Sequence, residues 1–414
     1  MSFKTICLTG KTMNKLVLLV SLFLLLLFAG LLFTSNTGVK STTSAIDNEL
    51  LNTTTNNWYR ESAAAVARTN SHIQRIATQA GSAKNIILFV GDGMGVSTVT
   101  AARILDGQQK GMSGEENSLS FGRFPFVGLS KTYNVDAQTP DSAGTMTAII
   151  SGVKTNIGAL GVDEDVVRGD CESVVGNQLF TALELAEIAG LSTGIVTTAR
   201  VTHATPAATY AKSPERDWED NSELPAAALA AGCEDIASQL INFKANLQAR
   251  YGDAATDGIE VVMGGGRRHF LPNEKSSNSA DAISEIEGDR TDGRNLVEEW
   301  ASLYPSGIYI EDQPGFDALD SENTRQLFGL FNESHMRYAA DRKNDIGGEP
   351  SLTEMTAMAI DILDNNPEGF LLVVESGRID HGHHAGSAYA ALHDTIEYSR
   401  AVQAAVDGTN AEET

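Results

Sequence analysis

The 414-residue chain is poor in basic residues, since 30 lysines and arginines stand against 54 aspartates and glutamates and leave a formal net charge of −24 at pH 7. Nucleic-acid affinity depends on clustered positive charge that attracts phosphates. This balance argues against a DNA- or RNA-binding role. With 42% hydrophobic and 20% charged residues, the composition is that of an ordinary globular protein, neither disordered nor a polytopic membrane protein.

A long hydrophobic run occurs near the N-terminus, where Leu16–Phe33 holds eighteen uncharged residues after Lys11 and Lys15. It is longer than the usual core of a signal peptide, about 7 to 15 residues, and close to the lower limit for spanning a bilayer. The run predicts export to the periplasm or the extracellular space. A cleaved signal and an N-terminal membrane anchor at residues 16–33 both remain open.

Cysteines are scarce, and the three present are Cys7, Cys171 and Cys233. Cys7 precedes the apolar run and would leave with a cleaved signal, so an exported chain would keep one pair. An even number of cysteines in an exported protein favours a disulfide, with two buried thiols as the alternative. The bridge would close a loop of about 60 residues, which the chain-entropy description values at about 4 kcal/mol.

From Asn85 onward, short apolar runs alternate with helical patterns. The runs that predict buried strands are Asn85–Val90, Thr193–Thr198, Ile259–Met263 and Phe370–Glu375. The predicted helices begin near Ser97 or span Gln178–Ala189, Ala226–Phe243, Ser351–Leu363 and Ala388–Val406. This order is typical of an α/β fold with a mainly parallel central sheet and helices on both faces, in which ligands bind at the carboxyl ends of strands.

The composition divides the chain into three parts. Residues 1–40 form the signal peptide or anchor, residues 41–82 a polar linker with a predicted amphipathic helical arm over Trp58–Ile76, and residues 83–414 the main domain. Within that domain, Asn273–Arg294 is rich in Ser, Asp, Asn and Gly and predicts an exposed insertion.

Acidic residues and histidines follow two of the predicted strands. Asp92 comes after the first strand, and Glu375 ends another and precedes the run SGRIDHGHH, which contains Asp380 and His384. Mixed carboxylate and imidazole ligands suit Zn²⁺ and Mg²⁺. A metal site is therefore predicted here, with a solvated polar loop as the alternative.

Ser142 lies in the run PDSAGT at 140–145, at the start of a predicted helix. A hydroxyl at a helix N-terminus meets free backbone N–H groups, a suitable place for phosphoryl oxygens, although Asp141 and Ser142 are also ordinary capping residues. The run GDGMG at 91–95 is not a dinucleotide fingerprint, because Val96 stands where the last glycine is needed. The residues thus favour metal-assisted phosphate chemistry over hydride transfer.

Together, five ordered motifs make the chain from Asn85 onward resemble an alkaline phosphatase. They are GDGMG at 91–95, PDSAGT at 140–145, VTTARVTHATPAATYA at 196–211, ERDW at 215–218 and ESGRIDHGHH at 375–384. The resemblance implies hydrolysis of small phosphate monoesters and, for the complete protein, a homodimer. Cys171 and Cys233 also fall where animal-type members have a disulfide.

The resemblance further assigns roles to individual residues. It implies that Ser142 is the nucleophile that becomes phosphoserine and that Arg216 holds the substrate phosphate. It also implies ligands for two Zn²⁺ ions and one Mg²⁺ ion. Asp92 would bridge the first zinc and the magnesium, and Ser142 would lie close to the first zinc. Asp380 and His384 would bind the second zinc, and Thr205 and Glu375 would complete the protein ligands of the magnesium. His203 and Asp141 are expected to lie beside these ligands without binding a metal. His381 and His383 are expected either beside the ligands or at the surface.

Two parts of the family pattern have no match in the chain. In the family, the zinc sites are completed by an Asp-His pair at the end of a later strand and by a more distant His. Neither follows the helical run that ends at Val406. His393 cannot take their place, because it lies inside that helical run. Ca²⁺ is doubtful as well, because Asn332 and Glu349 fall near positions of its ligands in animal-type members while the remaining ligand cannot be aligned.

We therefore expect a fragment of a longer coding sequence whose C-terminal strands are missing, and expect the 414-residue chain alone to fold poorly and be inactive. A naturally shortened protein with impaired zinc sites is the alternative reading. The competing functions are an exported phosphate- or metal-binding protein without catalysis and another phospho- or sulfohydrolase of the same superfamily. A sulfatase is disfavoured because its Cys- or Ser-x-Pro-x-Arg motif is absent at Ser142.

Overall fold

The computed structural model describes residues 57–79, 83–252 and 256–414, and the chain divides into two compact units, residues 1–77 and 78–414. Helix α1 (Asn57–Gln79) holds every described residue of the first unit and agrees with the helix predicted over Trp58–Ile76. The apolar run 16–33 and Cys7 lie outside the described residues. Within the described ranges, no helix has both the length and the apolarity that crossing a membrane requires.

The second unit is built on a six-stranded, fully parallel sheet with the strand order β1-β6-β2-β3-β5-β4. Its strands are β1 (Ile86–Gly91), β2 (Ser192–Arg200), β3 (Val261–Gly265), β4 (Ile308–Ile310), β5 (Leu327–Leu330) and β6 (Phe370–Ser376). The four predicted strands are confirmed, with β3 starting two residues later than expected. Sequence patterns missed β4 and β5, which are only three and four residues long.

Helices cover both faces of the sheet. Those of the second unit are α2 (Val96–Gln109), α3 (Ser142–Ser151), α4 (Ala182–Ile188), α5 (Ala204–Tyr210), α6 (Ala226–Ala230), α7 (Ile236–Ile241), α8 (Phe243–Tyr251), α9 (Leu296–Leu303), α10 (Gln313–Asp317), α11 (Leu352–Leu363), α12 (Arg378–His384) and α13 (Ala388–Gly408). Alternate residues of β6 point to opposite faces, so Leu371 and Val373 pack in one core and Leu372 and Val374 in another. Helices α4, α5 and α7 contribute to the first core, and α11 and α13 to the second. The predicted α/β architecture is confirmed.

Two predicted helices were wrong in their extent. The helix predicted from Gln178 starts at Ala182, because Thr181 caps it in a reciprocal pair of hydrogen bonds with Glu184. The helix predicted over Ala226–Phe243 is divided among α6, α7 and the start of α8, because Gly232 takes a positive φ of 77° and Asp235 caps a new helix. Local capping thus overrides a continuous apolar pattern.

The segment Asn273–Arg294 is exposed at half of its 22 residues, as its composition predicts, but it is also anchored by buried charged residues. Glu287 and Arg290 are buried within it. Glu287 accepts from the guanidinium of Arg267, and Arg290 donates to Asp235 at 3.0 Å. Because these partners lie outside the segment, its charges fix it to the body of the domain.

The disulfide between Cys171 and Cys233 is confirmed, with the two Cα atoms 6.0 Å apart and a sequence separation of 62. It joins the 3₁₀ helix Cys171–Val174 to the loop before α7. The bridge lies beside a small apolar cluster that includes Trp218.

Two buried carboxylates in this unit have no basic partner among the described residues. Glu187 accepts from Thr193 and Thr256, and Glu260 accepts from the backbone N–H of Thr193 at 2.7 Å. Burial, followed by the charge of Glu187, raises the pKa of Glu260 from 4.5 to about 9. The folded protein thus binds a proton that the unfolded chain releases above pH 4.5, so this group reduces stability as the pH rises from 4.5 to 9.

We expect Glu260→Gln to raise the free energy of unfolding at pH 7 by about 1–3 kcal/mol, because the amide needs no proton to be neutral. The gain should shrink toward pH 4.5, where the wild-type carboxyl is already protonated. Urea denaturation at both pH values measures this, with the exposed Glu368→Gln as a control that should change little. An equal gain at both pH values would contradict the assignment.

Candidate metal centre

The predicted metal ligands Asp92 and Glu375 come from neighbouring strands. Asp92 directly follows β1, and Glu375 lies one residue before the end of β6, in register with Val90 of β1 and Thr197 of β2. Ligand atoms of Asp92, Glu375 and His203 all lie within 4.8 Å of one another. Parallel pairing therefore assembles a group of two carboxylates and one imidazole at the carboxyl ends of three adjacent strands.

Two carboxylate oxygens of this group have no hydrogen-bond partner among the described residues and could bind a cation. Asp92 Oδ2 and Glu375 Oε1 are buried and lack a hydrogen-bond partner within the described residues, although buried polar atoms are nearly always paired. Burial, then the charges of Glu375 and Asp380, raises the pKa of Asp92 to about 8. Burial also raises the pKa of Glu375 to about 7, against the opposing effect of the hydroxyls of Thr197 and Thr205. A divalent cation would relieve the repulsion between these carboxylates, and carboxylate and imidazole ligands suit Zn²⁺ or Mg²⁺.

The hydrogen bonds of His203 indicate which ring nitrogen carries its proton. Arg216 can only donate, so its hydrogen bond to His203 Nε2 at 3.1 Å makes that nitrogen the acceptor. Burial, reinforced by the charge of Arg216, lowers the pKa of His203, and the proton of the neutral ring therefore resides on Nδ1. That tautomer favours a position beside the metal ligands, as expected from the sequence, and the role itself stays a prediction.

Asp380 and His384 lie one turn apart on α12. The turn after β1 brings Asp92 toward them, since Gly93 has a φ of +64° and a Cβ at this position would lie 2.5 Å from Asp380 Oδ1. His384 Nε2 is 3.3 Å from Asp380 Oδ2, and the His384 side chain is 80% exposed. Within the described ranges, no further Asp, Glu, His or Cys completes a three-donor group with this pair.

Ser142 is linked to the metal group through Asp141 and Arg216. Asp141 caps α3, of which Ser142 is the first residue, by accepting from the backbone N–H of Gly144 at 3.1 Å. The same carboxylate accepts from Arg216 at 3.1 Å, and Arg216 also contacts His203. Asp141 therefore positions the arginine between the serine and the carboxylates.

Sequence reasoning missed His335, which packs against the same group. Its ring lies 4.1 Å from that of His381 and 5.3 Å from that of His203, centroid to centroid. Burial lowers the pKa of His381 to about 4 and that of His335 further, and nearby arginines add to both effects. His335 follows β5, so recognising that strand would have suggested a residue near this edge of the sheet. His383 is exposed and contacts Thr98.

Comparison with known proteins gives consistent matches. The family model described as alkaline phosphatase matches residues 83–414. The tissue-nonspecific alkaline phosphatase of Homo sapiens is 45% identical over 360 residues, covering 86% of this chain and 66% of that protein. The isozyme of Gallus gallus is 48% identical over 323 residues, covering 77% and 60%, respectively. The chain thus spans slightly less than two thirds of the length of these relatives.

Solved structures give the same fold. The alkaline phosphatase of Thermus thermophilus aligns with a TM-score of 0.59 at 27% identity, covering 79% of this chain and 57% of that one. A cold-active enzyme from Shewanella sp. aligns with a TM-score of 0.57 at 24% identity, covering 78% and 64%, and supports the fold alone. With the family model matching most of its length and curated relatives above 40% identity, the chain belongs to the alkaline phosphatase family.

Proposed function

We propose that the protein hydrolyses small phosphate monoesters in a metal-dependent reaction with Ser142 as the nucleophile. The observation that carries this proposal is a chain of neighbouring side chains. Asp92 and Glu375, each with an unpaired oxygen, have ligand atoms within 4.8 Å of a ligand atom of His203. Hydrogen bonds then join His203 to Arg216, Arg216 to Asp141, and Asp141 to the first turn of α3. Such a set unites a nucleophile, a phosphate-binding cation and metal-binding carboxylates.

In the proposed reaction, Ser142 Oγ forms a bond to phosphorus while the bond from phosphorus to the ester oxygen breaks. Water then hydrolyses the phosphoserine, releasing phosphate and restoring the hydroxyl. The free N–H groups of the first turn of α3 favour the negative oxygens of the substrate. Arg216 offers a planar, two-point contact to phosphate oxygens, and its bond to Asp141 limits the conformations that it must lose on binding.

The family implies divalent metal ions, and we propose two Zn²⁺ and one Mg²⁺. The proposed magnesium ligands are Asp92, Thr205 and Glu375, and the proposed zinc ligands are Asp380 and His384 for one ion and Asp92 and Ser142 for the other. When bound, such ions stabilise the charge on the attacking and leaving oxygens of a displacement at phosphorus. Burial of Glu375 and Asp92 supports this assignment, since a bound cation would offset the cost of burying two neighbouring carboxylates.

The remaining expectations from the sequence are kept as proposals. Residues 1–40 would direct export as a signal or anchor, residues 41–82 would form the linker and arm, and residues 83–414 would belong to the catalytic domain. A homodimer of the complete protein rests on the family resemblance. One observation favours the alternative function of a phosphate- or metal-binding protein without catalysis: Asp380 and His384 lack a third donor among the described residues.

The test is hydrolysis of p-nitrophenyl phosphate by the complete, metal-loaded protein, before and after chelation. We expect chelation to abolish activity, and Zn²⁺ together with Mg²⁺ to restore it. p-Nitrophenyl sulfate and bis-p-nitrophenyl phosphate, assayed in parallel, distinguish a sulfatase or a diesterase. Binding of zinc and phosphate without turnover of any of the three esters would favour the non-catalytic alternative.

A further inference from the structure

A second group of metal-binding side chains shares no residue with the first. Ligand atoms of Asp220, Glu223 and His269 lie within 4.8 Å of one another. Asp220 caps the 3₁₀ helix Asn221–Glu223, which ends at Glu223, and His269 belongs to the 3₁₀ helix Arg267–Phe270 that follows β3. Neither segment lies within the five motifs that resemble those of alkaline phosphatases.

The imidazole of His269 is buried among carboxylates and has an unused nitrogen. Its Nδ1 lies 2.6 Å from Asp220 Oδ2, while its Nε2 has no hydrogen-bond partner within the described residues and lies 3.3 Å from Glu219 Oε2. His269 is 4% exposed and Asp220 0%. A buried nitrogen without a partner is uncommon in a native protein and calls for a ligand or an ion.

The charges around His269 are unbalanced. Glu219, Asp220 and Glu223 supply three carboxylates, of which Glu219 is paired with Arg200. Glu223 accepts from the backbone N–H of Glu219 at 2.7 Å and forms no ion pair with a basic side chain within the described residues. With Glu223 ionised, three negative charges thus face Arg200 and a protonated His269, whereas a dication beside a neutral imidazole would balance them.

We propose that Asp220, Glu223 and His269 bind a zinc ion at a site separate from the catalytic metals. One imidazole and two carboxylates suit Zn²⁺, whereas Mg²⁺ and Ca²⁺ favour oxygen ligands alone. Because only the neutral ring has a free lone pair, a protonated His269 releases its proton to solvent when the ion binds. The ion would fix the segment that begins at Arg216, four residues before Asp220.

Metal binding by the full chain tests this proposal without an activity assay. Metal-free protein is titrated with Zn²⁺ alone, and the bound ion is counted by equilibrium dialysis and elemental analysis. We expect Glu223→Gln and His269→Gln each to lose one equivalent of zinc per chain. Asp92→Asn, in the first metal group, should lose a different equivalent, so that the double variant Asp92→Asn/Glu223→Gln loses both.

Glu223→Gln is the decisive variant should His269→Gln fail to fold. Glu223 is exposed, and a glutamine can still accept from the backbone N–H of Glu219, as Glu223 does at 2.7 Å. Zinc should raise the melting temperature of the wild type more than that of Glu223→Gln, since a lost site removes its binding free energy from the folded state. Unchanged zinc stoichiometry and affinity in a folded Glu223→Gln protein would overturn the proposal and leave the proposed phosphatase function untouched.

Discussion

In the complete enzyme, Ser142→Ala is expected to lower the turnover of p-nitrophenyl phosphate by about 10³-fold or more, because it removes the proposed attacking oxygen. The protein should still fold. Asp141, which caps α3, is unchanged, and alanine is well tolerated in a helix. The loss should therefore appear in kcat at an unaltered free energy of unfolding.

Ser151→Ala at the other end of α3 is the matched control. Ser151 donates to the carbonyl of Thr147 at 2.6 Å and touches none of the metal group or Arg216, so its removal should leave kcat unchanged. Acid quenching during turnover, followed by mass spectrometry, should find phosphate on Ser142 in the wild type and in Ser151→Ala. A Ser142→Ala protein that keeps the wild-type rate would remove Ser142 from the role of nucleophile.

Arg267→Met is expected to reduce the free energy of unfolding by about 3–5 kcal/mol, because it leaves buried charges without their partner. Arg267 is 1% exposed, contacts Glu287 and Asp281, and donates to the carbonyl of Leu330 at 2.9 Å. Methionine fills similar volume but cannot neutralise Glu287, which is equally buried. Such a loss is a large fraction of the 5–15 kcal/mol that is typical of native proteins.

The neighbouring Arg268 provides the comparison. Its side chain is 30% exposed and lies 3.8 Å from Asp289 and 3.2 Å from Glu333. Ion pairs open to solvent contribute about 0–1 kcal/mol. The carboxylate of Glu333 also keeps its hydrogen bonds from Ser284 and Ile283, so Arg268→Met should cost clearly less than Arg267→Met. Urea denaturation of both variants measures the difference. An equal decrease in the free energy of unfolding for both variants would mean that burial of the ion pair contributes little to stability.

Four of the six strands and the grouping of Asp92 with Glu375 could be predicted from the sequence because both depend on local patterns. β1 and β6 are short apolar runs, and the polar residues that follow them must meet where parallel strands end. β4 and β5 were not predicted because they are very short and because β5 contains Gly329, a residue type that is uncommon in strands. The ring of Phe331 occupies the place that a Cβ of Gly329 would need, 2.8 Å away.

The rest depends on contacts between distant parts of the chain. No local pattern indicates that Asp141 binds Arg216, that His335 packs against His381, or that Arg290 is buried against Asp235. Composition assigned Arg290 to an exposed insertion because charged residues are usually solvated, whereas long-range ion pairs decide its burial. The ligand roles of Asp92 and Glu375 stay predictions that the zinc and magnesium experiments address.

The Cys171–Cys233 bridge has a consequence for when the protein matures. The loop that it closes contains β2 and also His203, Thr205 and Arg216. Closing a loop of this length removes conformational freedom from the unfolded chain and stabilises the fold by about 4 kcal/mol in the chain-entropy description. A newly made chain in a reducing cytosol lacks that stabilisation and acquires it only where thiols are oxidised. Folding of the segment that carries His203 and Arg216, the proposed phosphate ligand, is thus expected to depend on the redox state of the compartment in which the chain folds.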